Sequence, residues 1–171
     1  MDRLWAPWRR AYLDVAAPAG CIFCDQPAAG RDEEHGILYR GQWGFVILNA
    51  FPYNSGHLMV APFRHTADLE SLTAAEQAEI FDLTRLSVSL LRSAYRPDGY
   101  NIGMNLGRVA GAGVADHLHM HVVPRWNGDT NFMPVIAETK VLSESLTDTW
   151  RKLREALRAR EGDTSGGGRA P

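Results

Sequence analysis

Residues 117–124 read His-Leu-His-Met-His-Val-Val-Pro, and no other stretch of the chain restricts its folding so tightly. On an extended strand successive side chains point to opposite faces. His117, His119 and His121 therefore share one face, while Leu118, Met120 and Val122 turn toward a core. Imidazole is costly to bury charged, so three of them on one face of an otherwise apolar strand are poorly explained as packing. The run reads as a site, with metal ligation and nucleophilic chemistry at phosphorus or carbonyl as its two available uses. Pro124 cannot donate to a sheet ladder and is expected to end the strand.

Four further strands are legible upstream. Ile37-Leu38-Tyr39-Arg40, a Gly41-Gln42 turn and Trp43-Gly44-Phe45-Val46-Ile47-Leu48 form a hairpin pattern. Residues 49–56 are rich in turn formers, and His57-Leu58-Met59-Val60-Ala61 reads as a third strand stopped at Pro62. Residues 100–106 read as a fourth, and the histidine run is the fifth. Between the third and fourth, Thr73-Ala74-Ala75-Glu76 is a capping box that opens a helix. Ile80, Leu83, Leu90 and Ala94, with Leu86 alongside, mark its buried face, and Pro97-Asp98-Gly99 stops it. A C-terminal helix buries Leu146, Trp150, Leu153 and Leu157 and exposes Arg151, Lys152, Arg154 and Glu155. Strands in hairpins with one helix inserted and one appended define an α+β fold on an antiparallel five-stranded sheet. The chain divides into an aromatic and basic arm (1–20), one domain (21–161) and a Gly- and Ser-rich tail expected to be flexible (162–171).

A formal charge of −2 over 171 residues supplies no basic footprint for nucleic acid, so no nucleic-acid partner is expected. No apolar run is long enough for a signal peptide or a membrane span, which implies a cytoplasmic protein with no membrane partner. Only two cysteines occur, as Cys21-Ile22-Phe23-Cys24, which is no disulfide framework. The pair suits zinc, a thioredoxin-like redox motif, or two unligated thiols; no strand before it and no helix behind it is evident to favour the redox reading. The glycine-rich residues 107–113 lead directly onto the histidine strand. Glycines let main-chain N–H groups approach phosphate oxygens, so the loop and the imidazoles together suit attack at phosphorus.

The run His117-Leu118-His119-Met120-His121-Val122-Val123 resembles the motif that names the histidine triad (HIT) superfamily of nucleotide hydrolases and transferases. Residues 49–62, with Gly56-His57 before an apolar strand and Arg64-His65 after it, resemble the second conserved block of that family. The arm around Trp5, Trp8 and Tyr12 and the segment from Arg125 to Phe132 resemble its bacterial branch, which includes diadenosine tetraphosphate phosphorylases.

That resemblance implies roles. His119 would be the nucleophile, forming a nucleotidyl-imidazole at the α-phosphorus. His121 would hold phosphate and leaving group, and His57 would orient them. Asn49 matches a ribose-binding position and Asn105 a contact to phosphate or leaving group. Main-chain N–H groups of Gly111, Ala112, Gly113 and Val114 would receive phosphate oxygens. Many family members carry Gln or Ser where Ala112, Gly113 and Val114 stand, so main-chain donors or Asn105 must do more here. Cys21, Cys24, His65 and His117 match the ligands of zinc-bearing members, a structural ion with no open position; no organic cofactor is implied.

The activity implied is cleavage of a dinucleoside polyphosphate, with diadenosine tetraphosphate and inorganic phosphate giving ATP and ADP, by a homodimer. Its alternatives are a hydrolase, an adenosine phosphoramidase releasing AMP, a nucleotide-binding regulatory protein with incidental turnover, and a plain metal-binding module.

Overall fold

The computed structural model describes residues 20–129 and 142–166. The aromatic arm, residues 130–141 and residues 167–171 lie outside them, and with them the expectations placed there. Among the described residues the elements run α1 (Ile22–Ala28), α2 (Asp32–His35), β1 (Ile37–Arg40), β2 (Gly44–Leu48), β3 (Leu58–Pro62), α3 (Ala74–Tyr95), β4 (Gly99–Met104), a 3₁₀ turn (Arg108–Ala110), β5 (Met120–Arg125) and α4 (Leu146–Gly166). The strands form one antiparallel sheet in the order β1-β2-β3-β5-β4. The α+β reading holds.

The two sheet faces separate cleanly. Leu38, Val46, Leu48, Leu58, Val60, Leu118, Met120 and Val122 pack with Ile80, Leu83, Leu90 and Leu91 of α3 and Leu153 and Leu157 of α4. The other face carries Ile37, Phe45, Ile47, Met59 and Ala61 under Phe23 of α1. Thr73 caps α3 with Glu76 in a complete capping box, and Arg96 in the left-handed region closes the helix one residue before Pro97. The Glu79 carboxylate accepts the Gln42 and Trp43 N–H groups, fastening the β1–β2 turn to α3.

Several boundaries differ from the sequence reading. Sheet pairing of the histidine strand begins only at Met120, so His117 and His119 precede the ladder. The alternation persists because the Leu118 N–H donates to Thr66 O (2.7 Å), which keeps the chain extended beyond the last ladder pair. Pro124 lies inside β5, opposite Tyr100, at a point past the end of the β3 ladder, where its missing N–H costs no β3 bond. A helix does follow Cys21, which is its N-cap. On α4, Leu146 is exposed rather than buried. Arg154 is half-buried: its Nη1 donates to Leu38 O (2.9 Å) while Trp150 Nε1 donates to Ile37 O (3.0 Å). These two side chains cover the outer edge of β1, the edge problem that open sheets must manage. The helix also continues past Gly162, to Gly166, through part of the segment expected to be a flexible tail. Among the described residues no helix is long and apolar enough to cross a membrane.

Candidate active site

The second sheet face, where β3 and β5 meet, gathers His57, His119 and His121. Gly56 turns the chain into β3 with a φ of +81°, and a Cβ there would meet Leu91 Cδ2 at 2.9 Å. Only glycine fits that turn, and it delivers His57 into the interior, where the ring has no solvent exposure. His121, on the same face as its ladder partner Met59, lies beside it.

Hydrogen bonds assign the protons on these rings. The Tyr53 main-chain N–H donates to His57 Nδ1 (3.1 Å), with Asn49 Nδ2 a second donor to the same nitrogen (3.3 Å). Nδ1 is thus a lone pair and the proton sits on Nε2, which donates to His121 Nδ1 (2.9 Å). His121 in turn carries its proton on Nε2. His119 takes the other tautomer: its Nδ1–H donates to the His117 carbonyl (2.9 Å), which leaves Nε2 as a free lone pair. The His119 and His121 rings meet edge to face with centroids 4.8 Å apart. Burial lowers the pKa of all three. His57 falls to about 3 and His121 to about 4, helped by neighbouring imidazoles, and His119 is lowered as well. All three rings are neutral near pH 7, so a nucleophilic nitrogen and an adjacent N–H donor stand side by side.

His117 belongs to a different set. Its Nε2–H donates to Pro62 O (2.9 Å), so Nδ1 is the lone pair. That nitrogen lies 3.3 Å from Cys21 Sγ, 3.6 Å from Cys24 Sγ and 3.3 Å from His65 Nδ1. Cys24 Sγ and His65 Nδ1 are 3.4 Å apart, and all four donor atoms lie within 4.8 Å of one another. A tetrahedron with Zn–S of about 2.3 Å and Zn–N of about 2.0 Å has edges of about 3.3–3.8 Å. The donor spacing and the mix of two thiols and two imidazoles fit such an ion. Burial, with Cys21 beside it, pushes the Cys24 thiol up to about 11. Arg64 braces the set by gripping Glu76 through Nε (2.7 Å) and Nη2 (2.8 Å), which ties the loop bearing His65 to the start of α3. That grip, with the Thr73 N–H, holds the Glu76 carboxyl down at about 2.

Phe23, between the two cysteines, touches both sets. Its ring centroid is 5.3 Å from that of His117 and 4.8 Å from that of His119.

The remaining expected residues lie around this centre. Asn49 is engaged internally: besides His57 it accepts the Phe51 N–H on Oδ1 (2.9 Å). Asn105 borders the same cavity as His121, with Nδ2 3.5 Å from Gly111 O. Of the four main-chain donors, Gly111 N–H goes to Arg108 O (3.0 Å) and Ala112 N–H to Gly107 O (3.4 Å). The N–H groups of Gly113 and Val114 meet no acceptor among the described residues. Sequence reasoning missed Tyr53, whose main-chain N–H bonds His57 and whose ring lies against His57 (centroids 4.6 Å) and His121 (5.8 Å), and Phe23, whose apolar place inside the Cys-x-x-Cys pair was its only signal.

This fold, with three alternating histidines at the end of one central strand and a fourth from the strand beside it, is that of a nucleotide-handling histidine triad protein. The HIT domain family model matches residues 31–128, and the chain belongs to that family. It is 42% identical over 163 residues to the AP-4-A phosphorylase of Mycobacterium tuberculosis, covering 90% of this chain and 83% of that protein. A bis(5'-adenosyl)-triphosphatase of Saccharomyces cerevisiae is 30% identical over 91 residues, 53% of this chain and 44% of the yeast protein. Among solved structures, a Zn-bound histidine triad family protein from Mycobacterium smegmatis superposes with a TM-score of 0.68 at 27% identity, covering 84% of this chain and 97% of that one.

Proposed function

We propose that the protein is a nucleotidyltransferase that cleaves diadenosine tetraphosphate with inorganic phosphate as the second acceptor, releasing ATP and then ADP. The observation that carries this reading is the pair of opposed tautomers at positions 119 and 121: an unprotonated nitrogen next to a fixed N–H donor in a desolvated site. The similarity to the mycobacterial AP-4-A phosphorylase over most of both chains supports the substrate.

In the first step the His119 Nε2 lone pair forms a bond to the α-phosphorus. The P–O bond to the departing ATP breaks with its electron pair on oxygen, and the His121 Nε2–H hydrogen-bonds to that oxygen. The ring of the nucleotidyl-His119 carries a positive charge, and its Nδ1–H stays directed at the His117 carbonyl, which stabilises it. In the second step a phosphate oxygen attacks the same phosphorus and the P–N electron pair returns to Nε2, giving ADP. The N–H groups of Gly113 and Val114, with Asn105, supply donors for the phosphoryl oxygens, and Asn49 retains a ribose-contacting role alongside its hold on His57.

Cys21, Cys24, His65 and His117 are proposed to bind zinc. Four protein ligands leave no position for water, so the ion is structural: it ties α1 and the loop after β3 to the residues just before β5. The Zn-bound M. smegmatis neighbour supports this assignment. β4 is the outer strand at the sheet edge away from α4, with Ile102 and Leu106 each 48% exposed. That edge supports a homodimer, which mass measurement in solution tests.

The acceptor is tested by incubating the protein with diadenosine tetraphosphate with and without phosphate. ADP formed only with phosphate supports phosphorolysis; AMP in both tubes replaces it with hydrolysis. An acid quench must also recover nucleotide mass on His119, and turnover without that adduct ends the covalent scheme.

A further inference from the structure

Residues 99–106 alternate Gly-Tyr-Asn-Ile-Gly-Met-Asn-Leu, a period of two in which glycine and asparagine share one face. The β4–β5 register sets Gly103 opposite His121, Asn101 opposite Val123 and Gly99 opposite Arg125. Gly99, Asn101 and Gly103 therefore lie on the catalytic face of the sheet. Glycine in a strand usually answers to backbone geometry or to a close neighbour. Neither holds here: both glycines lie outside the left-handed region, and a Cβ at either would meet nothing within 4 Å. What the missing side chains leave open is the space in front of them. That space is a cavity of about 400 Å³ running from His121 past Gly103 and Asn101 to Arg125, with Tyr53 along its side. Its size is that of a small-molecule site.

We propose that this trough is the leaving-group subsite, holding the nucleoside polyphosphate that departs when His119 is nucleotidylated, and that Gly103 sets how large a leaving group the enzyme accepts. The proposal rests on the reaction given above. In displacement at phosphorus the leaving oxygen lies opposite the attacking nitrogen. The N–H placed to meet that oxygen is on His121, at the mouth of the trough, whereas Asn49 lies on the far side of His57. The nucleoside that stays bound therefore lies toward β2 and β3, and the departing part runs over β5 and β4.

The trough offers an anion hydrogen-bond donors rather than net charge. Arg125 Nη1 donates to Asn101 Oδ1 (2.6 Å), which leaves the Asn101 NH₂ as the donor available to a ligand. The carboxylate at that end, Asp129, is held by Arg125 Nε (2.6 Å), Arg125 Nη2 (2.8 Å), Asn54 Nδ2 (2.7 Å) and the Trp126 N–H (3.1 Å). Its charge is matched by Arg125, and its pKa lies well below the usual carboxylate range for that reason. Four strand steps lead from His121 to Arg125, about 13 Å at roughly 3.3 Å per residue, so the trough is long enough for several phosphates in a row.

The test measures binding calorimetrically to protein carrying His119→Ala, which leaves the dinucleotide intact, with AMP and diadenosine tetraphosphate as the two probes. Adding Gly103→Val should weaken diadenosine tetraphosphate at least tenfold relative to AMP, and Gly103→Ala should shift the ratio the same way by less. The alanine variant adds a single methyl into open space and keeps the test available if the valine variant does not fold. Equal weakening of both probes would assign the trough to the retained nucleotide, and no change in either would leave it without a ligand; each result overturns the proposal. Failure of the His119→Ala protein to bind either probe before Gly103 is changed counts against the dinucleotide reaction itself, and the trough assignment falls with it.

Discussion

His117 and His119 stand two residues apart, face the same side and touch the same phenylalanine, yet they carry their protons on opposite nitrogens. His117 gives its Nε2–H to Pro62 O and points Nδ1 at two thiols and a second imidazole. His119 gives its Nδ1–H to the His117 carbonyl and keeps Nε2 free. The placement of one carbonyl oxygen thus separates the proposed ligand from the proposed nucleophile. The two sets are also joined, because the carbonyl that orients His119 belongs to the residue that the proposed metal would fix. A structural ion at the proposed site would hold the residue whose carbonyl orients His119, without taking part in the chemistry proposed there.

The comparison can be broken at several points. His119→Ala should cost the greatest effect, a loss of at least about 10³-fold in kcat, with zinc content unchanged by elemental analysis. A drop in metal on this change would merge the two sets into one. Removing the ion, by chelation or by Cys24→Ser, should lower unfolding free energy by about 4 kcal/mol, the linkage expected when metal stands at a thousand times its Kd. Thermal unfolding with and without added zinc reads it. His57→Phe removes the donor that fixes the His121 tautomer and should lower kcat by about 100-fold with little change in KM.

The pH dependence follows from the same rings. Burial holds His57 at about 3 and His121 at about 4, while the unfolded chain takes up these protons near its ordinary histidine pKa of about 6.5. Their contribution to stability is complete above about pH 6.5 and is lost as pH falls toward 4 and then 3, at roughly 1 kcal/mol per pH unit for fully buried His57. Denaturant titrations across that window measure it, and kcat should show no acid limb near 6.5. Phe23→Leu should have the smallest effect, about tenfold or less in kcat with metal retained, because it loosens the ring against His119 without removing a hydrogen bond.

Much of this is legible in the sequence. The alternation of residues 117–123 predicted which side chains face the core, and Leu118, Met120 and Val122 are there. The Thr73–Glu76 box placed the start of α3 correctly. Strand limits were less legible, because pairing depends on where neighbouring strands end: Pro124 lies inside β5 only because β3 has already stopped. Arg154 read as a solvated charge, yet it bonds an edge carbonyl 116 residues away, a contact periodicity cannot contain.

Residue type and spacing determined by themselves that imidazoles would line one face of a strand, that a thiol pair was available to a soft metal, and that the fold would be an antiparallel sheet with helices. Local rules suffice for these, since alternation, capping and turn chemistry act over a few residues. Only the tertiary structure decided which nitrogen of each ring carries the proton and which glycines leave open space. Those outcomes depend on main-chain oxygens and strand neighbours brought in from distant parts of the chain.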